Sequence, residues 1–167
     1  MSMNAVRWII VGLLLTGAVV GPSQSALPQT AAPTDGTAMP YTMTMGDMMN
    51  TLVQPRHAKL GLAGVAQNWA LARYALVEIR QAFAGIVNAQ PRFRGMPVVE
   101  LVDTAMKEPL NALDTAIEAH DPQKFAAAYD RLSQGCNACH ASVDHPFVVI
   151  KPPDASAFPN QDFNLQP

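Results

Sequence analysis

Cys136 and Cys139 are the chain's two cysteines, and His140 follows the second directly, so residues 136–140 read CNACH. On a helix, a three-residue offset sets two thiols on one side of a turn. This is the CxxCH attachment motif of haem c: each thiol adds across one vinyl group of a porphyrin, and His140 reaches the iron as proximal ligand. Other uses of two cysteines explain less. A structural zinc site usually takes four Cys or His ligands in two separated pairs, and the chain has no second cysteine pair. A thioredoxin-like pair belongs beside a strand in a βαβ pattern, whereas this neighbourhood reads as helix. A disulfide between Cys136 and Cys139 leaves His140 unexplained.

The start of the chain points to the compartment in which such attachment occurs in bacteria. Arg7 precedes an uninterrupted apolar run from Trp8 to Val20, followed by Pro22, Ser23, Gln24, Ser25 and Ala26. This is the layout of a cleavable secretory signal over residues 1–25. The apolar run is shorter than the roughly 20 residues that span a bilayer. No cysteine follows it for a lipid anchor, so the expected product is soluble and periplasmic, with no membrane span after cleavage. Residues 26–42 are rich in Pro, Thr and Ala without an apolar period and read as a flexible leader. About 140 residues remain, enough for one core and no separate catalytic domain. Without Arg7 the eleven Lys and Arg fall to ten against thirteen Asp and Glu, so nucleic acid is not an expected partner. No catalytic triad, paired-carboxylate site or phosphate loop is recognisable, and an enzyme is not expected.

The motif must be positioned by helices, because the mature region lacks the period-two alternation of a sheet. Four helices are expected. The first carries Met45, Met49, Leu52, Arg56, Leu60 and Ala63 at helical spacing, is interrupted by Pro55 and ends near Gly61 or Gly64. The second presents Trp69, Ala72, Leu76, Ile79, Phe83 and Ile86. The third begins near Pro97, presents Val99, Val102, Met106, Leu110, Leu113 and Ile117, and should kink at Pro109. The fourth starts at Asp121 and Pro122, turns Phe125, Tyr129, Leu132, Cys136 and Cys139 inward, and ends with the haem motif. The expected fold is all-α: an antiparallel four-helix bundle over residues 43–145, haem attached near the end of the fourth helix, plus an irregular tail over residues 146–167.

This arrangement resembles the class II cytochromes c, the cytochrome c-prime group, over roughly residues 44–143. The stretches RHAKLGLAG, NWALARY, CNACHASVDHPF and FPNQDF are also similar to a family of small exported bacterial c-type cytochromes. The class II resemblance implies that Arg56 contacts a haem propionate and that Leu60, four residues later, faces the distal side of the iron. An arginine paired with a carboxylate or turned to solvent is the plainer alternative for Arg56. A leucine at the distal position implies a five-coordinate haem that binds gases such as nitric oxide or carbon monoxide. Electron-transfer relatives carry methionine there. His57 is a candidate sixth ligand, as are Met43, Met45, Met48 and Met49; histidine would set a low potential and methionine a higher one. Class II members often pair through their first two helices, which implies a homodimer.

Trp69 and Tyr74 are expected at the core or the haem edge, and Asn68 as a local backbone hydrogen-bonding group. His120 reads as a loop residue, and His145 as a turn residue or a group on the proximal side. The tail departs from the class II pattern. Pro146, Pro152, Pro153 and Pro159 forbid a long helix, yet Phe147, Val148, Val149, Ile150, Phe158 and Phe163 are too apolar to hang free. It is expected to wrap across the bundle and cover part of the haem edge. The favoured function is electron transfer with a periplasmic redox partner protein; the alternatives are small-gas binding and an accessory subunit with a structural haem.

Overall fold

The structure, a computed structural model, describes residues 41–164. The expected signal over residues 1–25, and the leader up to residue 40, lie outside the described residues. What is described is mostly helical, with little sheet.

The first helical rod opens on a reciprocal cap: the Asp47 backbone N–H donates to the Thr44 hydroxyl at 3.2 Å, and the Thr44 N–H donates to the Asp47 carboxylate at 2.9 Å. α1 (Met45–Met48) passes directly into a π turn (Met49–Val53) and then into α2 (Gln54–Val65). Pro55 accounts for the wide turn. It has no N–H to close an α bond, and its ring would press on the carbonyl four residues back. A π turn bonds five residues back instead, as the Gln54 N–H does to the Met49 carbonyl.

The π turn also re-aims the rod. Its buried residues are Met48, Val53, His57, Leu60, Gly61, Ala63 and Gly64. The interval of five between Met48 and Val53 is the width of that turn, and it displaces Leu52 and Arg56 to the flank of the buried face. The helix ends at Val65, one residue past the Gly64 near which its end was expected. Both glycines lie inside α2, because a Cβ at Gly61 would come within 2.6 Å of the Tyr129 ring and one at Gly64 within 1.9 Å of the Phe125 ring. They let α2 approach the helix that carries the cysteines.

α3 (Trp69–Ala89) is capped by Asn68, whose side-chain oxygen accepts the Leu71 N–H at 3.1 Å. It buries Ala72, Leu76, Ile79, Phe83 and Ile86, the expected stripe, while Trp69 is half-buried at its start. A hairpin of two-residue strands follows, β1 (Arg92–Phe93) antiparallel to β2 (Met96–Pro97), turned by Arg94 at φ 49° and Gly95 at φ 83°. Ladders of that length carry no alternation for a sequence to reveal. α4 (Val98–Glu118) begins one residue after Pro97, so Val98 is buried and the expected Val99 is 47% exposed. Pro109 sits buried within it. α5 (Pro122–Ser142) is capped by Asp121, which accepts the Lys124 N–H at 2.9 Å.

Three helices end in the same manner. α2, α4 and α5 each close with a bond from a backbone N–H to the carbonyl five residues back: Asn68 to Ala63, Asp121 to Ala116 and His145 to His140. The left-handed residue in each is Gln67, His120 or Asp144, at φ 53°, 51° and 60°, and none is glycine.

The helices pack in a closed circuit, α2 on α3, α3 on α4, α4 on α5 and α5 on α2. Leu60, Leu76, Ile79, Ile86, Leu113, Ile117 and Leu132 are sealed at its centre. Each such side chain contributes roughly 1.5–3 kcal/mol by leaving water. Among the described residues no helix is long and apolar enough to cross a membrane.

Candidate functional site

The last turns of α5 bring Cys136, Cys139 and His140 to the wall of one hollow of about 80 Å³. Met49, Asn50, Val53, Gln54 and His57 of the first rod, Phe83 of α3, Leu101, Val102 and Met106 of α4, and Val148 and Ile150 beyond α5 complete it. A second hollow of about 170 Å³ shares Met49, Cys139, His140 and Val148 and extends to Met45, Phe93, Val98 and His145. The lining is largely apolar. On its outer side Cys139 borders an open groove between α4 and α5. There Gly135 allows close approach, since a Cβ would lie 2.4 Å from the Ala105 carbonyl oxygen.

Both cysteines are free thiols. Burial, and then Cys139 beside it, pushes the Cys136 thiol up to about 12, and burial raises Cys139 as well. Both are therefore uncharged at neutral pH. An apolar setting penalises a metal-bound thiolate and accepts a neutral thioether without that cost. Among the described residues no group of three or more His, Cys, Asp and Glu side chains is placed to hold a metal ion.

His140 is held differently. Its Nδ1 lies 2.7 Å from the Val148 carbonyl oxygen. A carbonyl only accepts, so Nδ1 carries the ring proton and Nε2 of the neutral ring keeps its lone pair. The turn that brings Val148 round depends on Asp144 in the left-handed conformation, on the His145 N–H bonded to the His140 carbonyl at 2.8 Å and on the Val148 N–H bonded to the His145 carbonyl at 3.0 Å.

His57 faces the same hollow but is already engaged. Its Nε2 lies 3.1 Å from Ser133 Oγ and its Nδ1 lies 2.9 Å from the Tyr129 hydroxyl. Tyr129 donates its one proton to the His57 carbonyl at 2.7 Å and so accepts from Nδ1–H, while the Ser133 hydroxyl, also 3.1 Å from the Tyr129 carbonyl, has one proton to give to that carbonyl or to Nε2 of the neutral ring. Burial brings the His57 pKa down to about 4. Desolvation raises that of Tyr129. Tyr129 and Ser133 were missed as polar residues of the site. The available signal was a tyrosine on an inward stripe, whose hydroxyl must find a partner when buried.

The remaining expected site residues are dispersed. Arg56 lies off the hollow, donating to the Leu52 carbonyl at 2.8 Å and pairing with Glu78 of α3 at 3.5 Å. A carboxylate of the chain is thus its anionic partner, and the π turn is the reason it has left the inward stripe. Leu60 is wholly buried in the core and does not line either hollow. Met49 and Val53, on the cysteine side of the π turn, occupy the wall instead. Trp69 stacks on His120 at 5.6 Å between ring centroids and meets Phe125 edge-on at 6.0 Å, lining neither hollow. Tyr74 is 56% exposed. Of the methionines named from sequence, Met45 and Met49 reach the hollows and Met43 and Met48 do not. Comparison with protein-family models, with curated proteins and with solved structures finds no match for this chain.

Proposed function

We propose that this chain is an exported monohaem c-type cytochrome, in which an antiparallel four-helix bundle carries haem c on Cys136 and Cys139 with His140 as the proximal iron ligand. The observation that carries this reading is the convergence of two uncharged thiols and an imidazole with its Nδ1 already satisfied on one apolar hollow. The donor set suits the group: the thiols become uncharged thioethers, and the Nε2 lone pair of His140 is the iron donor. The haem supplies a one-electron couple. The chain's own residues exclude water through Val53, Phe83, Val102 and Ile150, and fix the imidazole through Val148. Electron transfer with a periplasmic redox partner is the function this arrangement favours.

A second reading, a five-coordinate haem that binds nitric oxide or carbon monoxide, is favoured by the engagement of both His57 ring nitrogens. Met49 on the wall of both hollows favours a filled sixth position. The test is the visible spectrum of the mature protein exported in a strain competent for haem attachment, oxidised and reduced, with and without carbon monoxide. A low-spin spectrum indifferent to carbon monoxide supports the electron carrier, and a high-spin spectrum that shifts with it supports the gas binder. Cys136→Ser together with Cys139→Ser is expected to abolish covalent haem. Haem-free wild-type protein from that strain would overturn both readings.

A further inference from the structure

We propose that Asn137, the first residue between the two cysteines, is a positioning residue that registers the strap over residues 147–150 so that the Val148 carbonyl fixes the His140 tautomer. The proposal rests on the haem reading only for its effect on redox potential.

Asn137 bonds the strap at both backbone groups of one residue, Ile150. Its Nδ2 donates to the Ile150 carbonyl at 2.8 Å, and the Ile150 N–H donates to its Oδ1 at 2.7 Å. Both distances are short for N–H···O bonds, and the amide orientation is fixed, since Ile150 N–H only donates and Ile150 C=O only accepts. Side-chain pairing of this kind replaces the neighbour that an extended segment would find in a sheet. The strap alternates: Val149 is 70% exposed, while Val148, 39% exposed, and the half-buried Ile150 on either side reach the hollow. Anchoring Ile150 therefore places the carbonyl two residues earlier, 2.7 Å from His140 Nδ1.

The chemical result is directional. A proton held at Nδ1 by a carbonyl leaves Nε2 as the sole donor atom and makes the ring a stronger base toward a metal. A more basic ligand favours ferric over ferrous iron and lowers the potential. The haem motif itself makes no demand on the residue at position 137, so its carboxamide is free to serve this second purpose.

The experiment compares wild type, Asn137→Ala, a deletion of residues 147–167, and the two changes combined. Asn137→Ala is expected to speed amide exchange at Ile150 on the order of tenfold and to move the His140 ring nitrogens, read by ¹⁵N NMR at neutral pH, away from the pure Nδ1–H tautomer. On the haem-loaded protein both single changes are expected to raise the midpoint potential. The combined variant is expected to shift it no further than the deletion alone, since one acts through the other. Unchanged Ile150 exchange and tautomer in Asn137→Ala, or potential shifts that add, would overturn the proposal. Because Ile150 exchange is read on the exported protein whether or not it carries haem, failure of the clamp and failure of the haem reading are separable.

Discussion

At the level of single residues, the buried imidazole of His57 makes a prediction independent of any cofactor. Burial lowers its pKa from 6.5 to about 4, so between those values the unfolded chain binds a proton that the folded chain refuses. Stability contributed by the neutral ring is therefore present above pH 6.5 and is lost as pH falls toward 4, by an amount on the order of 3 kcal/mol. The urea midpoint of the wild type should decline across that window, and His57→Gln should flatten the decline. A decline of equal size in His57→Gln would assign it to other groups. The convergence of Cys136, Cys139 and His140 on one hollow was legible in the sequence because it depends on spacing within a single helical turn. The burial of Leu60 was legible too, whereas the flank position of Arg56 was not, since it depends on a π turn whose one trace in the sequence is Pro55.

At the level of elements, the glycines separate backbone freedom from packing. The sequence reading treats glycine as a helix terminator, yet in α2 two glycines serve close approach, and the ends of α2, α4 and α5 fall to Gln67, His120 and Asp144. Periodicity shows which face of a helix is apolar; it does not show how near the opposing helix comes. Two substitutions of the same kind should accordingly have opposite signs. Gly64→Ala drives a methyl into the Phe125 ring and should cost roughly 1–3 kcal/mol despite the better helix propensity. Gly85→Ala, on the exposed side of α3 with nothing within 4 Å of the added carbon, should stabilise. The expected gain is about 0.5–1 kcal/mol. Thermal unfolding of the two variants beside the wild type decides it, and matching signs would refute the packing argument.

For the whole molecule, the question is what the last twenty residues add to a circuit of helices that is already closed. The aromatic and proline content showed that the tail must pack; its route was not legible, because long-range pairing by a few side chains leaves no periodic signal. The contacts divide it in two. The part up to Ile150 serves the hollow through Val148, Ile150 and Asn137. The part beyond runs elsewhere: Pro153 lies against Gly61, Lys59 sits 5.2 Å over the Phe158 ring, and Asn68 donates to the Phe163 carbonyl at 3.2 Å. Asn68 thus caps α3 with its oxygen and holds the tail with its nitrogen. Deleting residues 152–167 removes one cation–π contact, the Asn68 bonds to the Phe163 and Asn164 carbonyls, the exposed Lys151–Asp154 pair and two partly buried phenylalanines, and should lower stability by roughly 2–3 kcal/mol. It should leave the midpoint potential of the haem-loaded protein where it was, whereas deletion from residue 147 should raise it. A potential that moved equally in both truncations would mean that the distal half of the tail, rather than the Asn137 clamp, holds Val148 against His140.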